Sequence, residues 1–239
     1  MGLFDLPGPL FTAIDRAMAT ALSPGWRLAC WAALAGAGML MLYKLLSPQQ
    51  RIGQAKRVAR EARQRLNAFD GELSDAGPLI RAQFVAAFRH LGLVMPGTLL
   101  SILPLLTLLV WLDGHYARSY PAADEVPVVK TSPAQLEARW LVAGDGVPRV
   151  QVRQGEALLA ELAVSSPVPV VERRHWWNWL FANPLGYLPA DSGVDRIEIA
   201  FPEREYLAYG PAWMRSWLII FFPVMLGVSL LMFRWANVQ

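Results

Sequence analysis

With 239 residues, 54% of them hydrophobic and only 17% charged, the chain is too apolar for an ordinary soluble domain. Its 10 Trp and 18 Pro fit a membrane protein with interfacial aromatics, and its single cysteine, Cys30, rules out an intramolecular disulfide. The net charge of +3 does not argue for a DNA partner, because the basic excess is concentrated beside apolar spans, where membrane orientation already accounts for it.

Residues 1–25 carry Leu6, Leu10, Phe11, Ile14 and Met18 close to an i, i+4, i+8 stripe, with Asp15 and Arg16 off that face. The pattern predicts a short amphipathic helix, broken at Ser23-Pro24-Gly25, that either lies along the membrane or packs on the protein's own spans. The first apolar span covers residues 26–46, close to the ~20 residues needed to cross about 30 Å of hydrocarbon. It follows a leader that contains Asp5, Asp15 and Arg16, and the main positive charges come after it, so it reads as a retained helix rather than a cleaved signal.

Ser47-Pro48 then reads as an N-cap and first-turn proline. From Gln49 to Phe69 the chain is rich in Ala, Arg and Gln, and Ile52, Ala55, Val58, Ala59, Ala62, Leu66 and Phe69 keep a three-or-four spacing that predicts a helix with one packing face. Gly77-Pro78 interrupts, and a second helix from Leu79 runs into the span at 91–112. Residues 47–90 are therefore either an antiparallel helical hairpin or a solvated basic loop, and the periodicity on both arms favours the hairpin. Lys44–Arg89 holds nine Lys/Arg against four Asp/Glu, which places this segment in the cytoplasm by the positive-inside rule. Arg57, Arg60, Arg63 and Arg65 are its candidate contact residues for phosphate or carboxylate partners.

Within the second span the mildly polar and helix-breaking residues are Thr98, Ser101, Pro104 and Thr107. Thr98, Ser101 and Thr107 are read as sharing a face, forming either a weakly polar groove or a close-packing surface that satisfies backbone freed by proline. The third span, residues 213–234, carries Pro223, Gly227 and Ser229. No acidic or basic residue falls in the middle of a span, which argues against an ion pump or proton relay.

Residues 113–212 form the longest stretch outside the spans and read as a mainly β domain. Residues 136–142, 149–153, 157–164 and 196–200 are the predicted strands, with turns at Gly144-Asp145-Gly146 and Gln154-Gly155-Glu156, consistent with a small antiparallel sandwich or half-barrel. The segment 175–188 is unusual for its density of rings: Trp176, Trp177, Trp179 and Phe181 are too aromatic for a solvent loop. They read as interfacial or docking residues, or alternatively as part of the β-domain core.

His90, His115 and His175 are far apart in sequence, and no spacing resembles a metal site, a nucleophile elbow or a phosphate-binding loop. Glu203 and Glu205, flanked by Pro202 and Arg204, read as a solvated stretch next to the third span. No cofactor, metal or catalytic residue is assigned, and the chain is not expected to be an enzyme.

The first span ends in Tyr43-Lys44-Leu45-Leu46-Ser47-Pro48; a basic hairpin follows, then a span reading Met95-Pro96-Gly97-Thr98-Leu99-Leu100-Ser101-Ile102-Leu103-Pro104-Leu105-Leu106. In this order, residues 26–112 resemble the YidC/Oxa insertase superfamily, especially its small three-span members, the archaeal YidC-like proteins and the third subunit of the ER membrane complex. The third span corresponds by position only. By the positive-inside rule the N-terminus lies outside and the C-terminus is cytoplasmic, and the expected setting is a multi-pass protein of a bacterial inner membrane. The resemblance implies a role in membrane-protein insertion or assembly, with ribosomes or incoming substrate meeting the hairpin. Two departures stand beside it: the β domain between spans two and three, and the lack of a mid-membrane arginine, since Arg27 sits only at the outer edge of span one. The expected fold is thus three transmembrane helices with a cytoplasmic helical hairpin and a small mainly-β extracytoplasmic domain. A non-catalytic accessory subunit docking through the aromatic segment is the rival reading, and a ligand sensor the third.

Overall fold

A computed structural model of the chain describes residues 2–122, 124–142, 146–180 and 183–236. Three helices are long and apolar enough to cross a membrane: α2 (Pro24–Leu46), α4 (Gly77–Tyr116) and the stretch Leu218–Trp235 of α6 (Leu218–Ala236). The other helices are α1 (Gly8–Ala19), α3 (Gln49–Asn67) and the single turn α5 (Ala212–Arg215), and a 3-10 turn spans Leu3–Asp5. The chain divides into two compact units, Met1–Leu28 with Leu106–Phe221, and Ala29–Leu105 with Phe222–Gln239.

In the second unit, small residues let helices approach closely, as expected where lipid supplies no hydrophobic drive between them. Ser229 Oγ donates to the Gly36 carbonyl at 3.3 Å, joining α6 to α2. The Ser47 hydroxyl, expected as the cap of α3, is instead turned against Gly97 of α4, where a β-carbon would collide with it. It is buried without a hydrogen-bond partner among the described residues, and α3 starts after Pro48 with no side-chain cap. Close helix approach at Gly97 has displaced capping.

The helical hairpin is formed. α3 buries Ile52 and Ala55, and α4 buries Ala86. Arg51, Gln54, Ala55 and Val58 of α3 share one cleft with Ala86, Arg89 and Leu93 of α4. The start of α3 therefore faces residues well along α4, as antiparallel arms joined through residues 68–76 require. α4 is unbroken from Gly77 to Tyr116 despite Pro96 and Pro104.

Among the described residues of the first unit, six strands make two three-stranded antiparallel sheets, where the sequence pattern marked four strands. One sheet has the order β1 (Val129–Ser132), β6 (Arg196–Ile199), β5 (Val170–Glu172); the other runs β2 (Glu137–Val142), β3 (Pro148–Gln154), β4 (Ala157–Ala163). Alternating residues from both sheets, including Val150, Val152, Leu162, Val171, Ile197 and Ile199, bury into one shared cluster. The β3–β4 connection is a two-residue hairpin whose first central residue, Gly155, has φ +61°, a conformation that favours glycine. The Gly144-Asp145 part of the other expected turn lies outside the described residues. Beyond the sheets the chain closes on itself: Ser119 N–H donates to the Pro202 carbonyl at 3.0 Å and Arg204 N–H to the Ala117 carbonyl at 2.9 Å.

The last long helix starts at Leu218 rather than Trp213. Ser216 is extended (φ −71°, ψ 162°), so residues 212–215 form a separate turn. That turn is held within the first unit by a Tyr206 N–H bond to the Arg215 carbonyl at 2.8 Å and an Arg215–Glu205 ion pair at 2.7 Å.

A test of the small-residue packing follows from the glycines of α2. A β-carbon at Gly36 would stand 2.6 Å from the Met225 carbonyl oxygen, whereas one at Gly38 meets nothing within 4 Å. Gly36→Ala should cost about 2 kcal/mol by overpacking, lowering the unfolding midpoint in detergent by about 4–8 °C. Gly38→Ala should leave it unchanged or slightly raised, since alanine favours helix.

Candidate functional site

The basic face of α3 comes from its periodicity. At 100° per residue, Arg57, Arg60 and Arg63 fall with Lys56 on one arc of about 120°, flanking the apolar stripe, while Arg65 lies on the opposite flank. All four arginines are exposed. Lys56, Arg57 and Arg60 line one shallow concavity together with Gln49, Gln50 and Gly53. Six basic residues against Glu61 make this helix strongly cationic, and its guanidinium groups suit planar oxyanions such as phosphate and carboxylate. Phe84 and Phe88 on α4 stack at 6.4 Å, both exposed, so the hairpin carries an apolar patch as well as a cationic one.

The weakly polar groove expected in α4 is not assembled. Nine residues separate Thr98 from Thr107, which is two and a half turns of helix and sets them on opposite sides. Thr98 and Ser101 remain close, but their hydroxyls are used inside the helix. Thr98 Oγ1 donates to the Val94 carbonyl at 3.1 Å, and Ser101 Oγ to the Thr98 carbonyl at 2.9 Å. The carbonyls deprived of a partner by Pro96 and Pro104 are those of Gly92 and Leu100, four residues before each, so these hydroxyls serve other positions. A self-bonded hydroxyl offers little to a substrate.

A polar cluster in the first unit was not legible as a site. Asp15 on α1 accepts from Arg27 Nη1 in the first turn of α2 and from the Tyr116 hydroxyl at the end of α4. The Asp15 and Arg27 side chains are only 14% and 17% exposed, and the guanidinium lies 5.7 Å from the Tyr116 ring centre. Trp111 Nε1 donates to Thr12 Oγ1 at 3.1 Å, and Phe11 meets the Trp111 ring edge-on at 5.8 Å. Tyr206 donates its hydroxyl to the Tyr116 carbonyl at 3.0 Å, and burial pushes its pKa up, so it stays a neutral donor. The one sequence signal was a pair of opposite charges next to an apolar span, each needing a partner. The arrangement binds α1 to the ends of two long helices. Its opposite charges are paired with each other and with the Tyr116 hydroxyl, which makes it a structural clamp rather than a reactive centre, although the Arg27 Nε N–H is buried without a partner among the described residues.

The aromatic segment is neither core nor disordered in outline. Trp176, Trp177 and Trp179 lie on the surface, and among the described residues of this stretch the core cluster takes Leu185 and Leu188. Phe181 lies outside the described residues. The loop is fixed from within by buried Asn178, whose Oδ1 accepts from His175 N–H at 2.8 Å and whose Nδ2 donates to the Arg173 carbonyl at 2.9 Å. The Tyr187 hydroxyl donates to the Asn178 carbonyl at 3.0 Å, and the His175 ring stacks on Trp177 at 5.6 Å. A satisfied polar residue thus faces inward while its tryptophan neighbours face outward.

Among the described residues no group of three or more His, Cys, Asp or Glu is placed to hold a metal ion. Comparison with known protein families, with curated proteins and with solved structures finds no match to this chain.

The clamp predicts a specific mutational pattern. Asp15→Asn leaves Arg27 largely buried without its counter-charge and should destabilise by roughly 3 kcal/mol, the low end for breaking a buried pair because both side chains keep some exposure. Replacing both partners with apolar residues, Asp15→Leu with Arg27→Met, should recover at least half of that loss. Thermal unfolding in detergent measures both, and a double variant less stable than Asp15→Asn would contradict the clamp.

Proposed function

We propose that this chain is a membrane-protein insertion or assembly factor of insertase-like architecture, working through binding rather than covalent chemistry. The observation that carries the reading is α4, one helix of 40 residues that begins in the basic hairpin and continues as an apolar span. At 1.5 Å per residue it is about 60 Å long, twice the hydrocarbon thickness, so about half of it must project. The projecting half has α3 folded along it and presents the arginine arc and the Phe84–Phe88 pair. This combination suits a partner that is both anionic and apolar in parts, such as a ribosome carrying an emerging membrane segment.

The resemblance of residues 26–112 to the YidC/Oxa superfamily supports the same reading. By the positive-inside rule the hairpin is cytoplasmic, the N-terminus and the sheet region are outside, and the C-terminus is cytoplasmic, in a multi-pass protein of a bacterial inner membrane.

The test uses the full chain in lipid vesicles and ribosome co-sedimentation at near-physiological salt. Exchange of Arg57, Arg60 and Arg63 for Glu should lower binding at least tenfold, and exchange for Lys should lower it by less, through loss of bidentate contacts alone. Arg65→Glu, on the other flank, should have a small effect. Equal binding by all variants contradicts the proposal.

A further inference from the structure

We infer that the start of the chain and the tryptophan loop form one membrane-surface platform, whose partner is the headgroup layer of the bilayer that α2 crosses. The two segments are joined by backbone. Leu3 N–H donates to the Trp179 carbonyl at 2.9 Å and Phe4 N–H to the Leu180 carbonyl at 3.3 Å. The Asp5 carboxylate accepts from Asn183 N–H at 2.6 Å and from Gly2 N–H at 2.8 Å, so its charge is spent between the segments.

Their outward side is apolar. Trp176 is 86% exposed and Trp177 and Trp179 each 49%, next to Leu3; Leu6 at 72%, Leu10 at 61% and Ile14 continue the stripe along α1. The acids of α1 and the turn before it point the other way, Asp5 to the loop and Asp15 to Arg27. The exposed cations Arg16 and Arg174 lie in or beside the same two segments, a charge that favours anionic headgroups.

Continuity with α2 selects lipid as the occupant. Only residues 20–23 link α1 to α2, at most about 14 Å when extended, and the Asp15–Arg27 pair shortens that tether to a contact. The stripe is therefore held at the end of a membrane-length helix, where its first exposed ring is Trp26. Indole combines a large apolar body with one N–H donor and prefers this depth. Leu3 and Leu6 before α1, with Leu10 and Ile14 on it, add the buried area that an in-plane segment needs. The inference requires only that α2 crosses the bilayer, and it stands apart from the proposal about the hairpin.

The test uses the full chain in phosphatidylcholine–phosphatidylglycerol vesicles containing lipids brominated either near the headgroup or deep in the acyl chain. Subtracting the emission of the W176F/W177F/W179F variant from that of the wild type isolates the loop. That emission should be quenched at least twofold by shallow bromines and less by deep ones. Asp5→Ala, which breaks the link to Asn183, should at least halve the quenching while the circular dichroism of the sheet region is kept. Absence of quenching overturns the platform, as does extraction of a larger complex that disappears in the tryptophan variant. Unchanged quenching in Asp5→Ala overturns the coupling of the two segments.

Discussion

Hydrocarbon offers no hydrogen-bond partner, and much of the organisation of this chain follows from how its polar groups are paired within it. Most backbone groups of the apolar segments are satisfied inside three helices, while Pro96 and Pro104 free the Gly92 and Leu100 carbonyls. The hydroxyls of Thr98 and Ser101 bond carbonyls of their own helix, and the Ser229 hydroxyl reaches the Gly36 carbonyl across an interhelical contact. Charges are kept from the middle of the spans. The largely buried ion pair at a span end, Asp15–Arg27, is completed by the Tyr116 hydroxyl, so three elements converge on one carboxylate.

The same constraint divides the labour along α4. A helix of about 60 Å exceeds the bilayer, and its amphipathic beginning pairs with α3 instead of lipid. The basic arc on α3 then serves two ends in our reading: it fixes orientation, and it presents guanidinium groups to an anionic partner. The sheet region needs no such help. Its two small sheets bury one continuous aliphatic cluster, and the residues leaving it, from Pro202 to Arg204, bond back to Ala117 and Ser119.

What could be read from the sequence is what is periodic or compositional. Apolar length marked the three long helices, the three-or-four spacing from Ile52 to Phe69 marked α3, and alternation marked β2, β3, β4 and β6. The strands β1 and β5 escaped because such short runs lie against prolines that read as breakers, Pro127 and Pro133 around β1 and Pro169 before β5. Helical counting alone separates Thr107 from Thr98 and Ser101, and their grouping on one face does not survive it. The capping role expected of Ser47 gave way to tertiary contact with Gly97, which no local pattern reveals. The Asp15–Arg27 pair spans 12 residues and a helix break, so it exists only once α1 folds back. The tryptophans left two options open in sequence, surface or core; burial of Asn178 between them puts their rings on the surface.

The central claim is that the basic hairpin and the sheet region lie on opposite sides of one membrane. It is tested most directly by single-cysteine labelling in sealed cells, in a Cys30→Ala background, with Gln64→Cys on α3 and Glu156→Cys in the β3–β4 turn. An impermeant thiol reagent added outside should label Glu156→Cys and spare Gln64→Cys until the membrane is opened. Labelling of both from the same side, or the reverse pattern, would contradict the account.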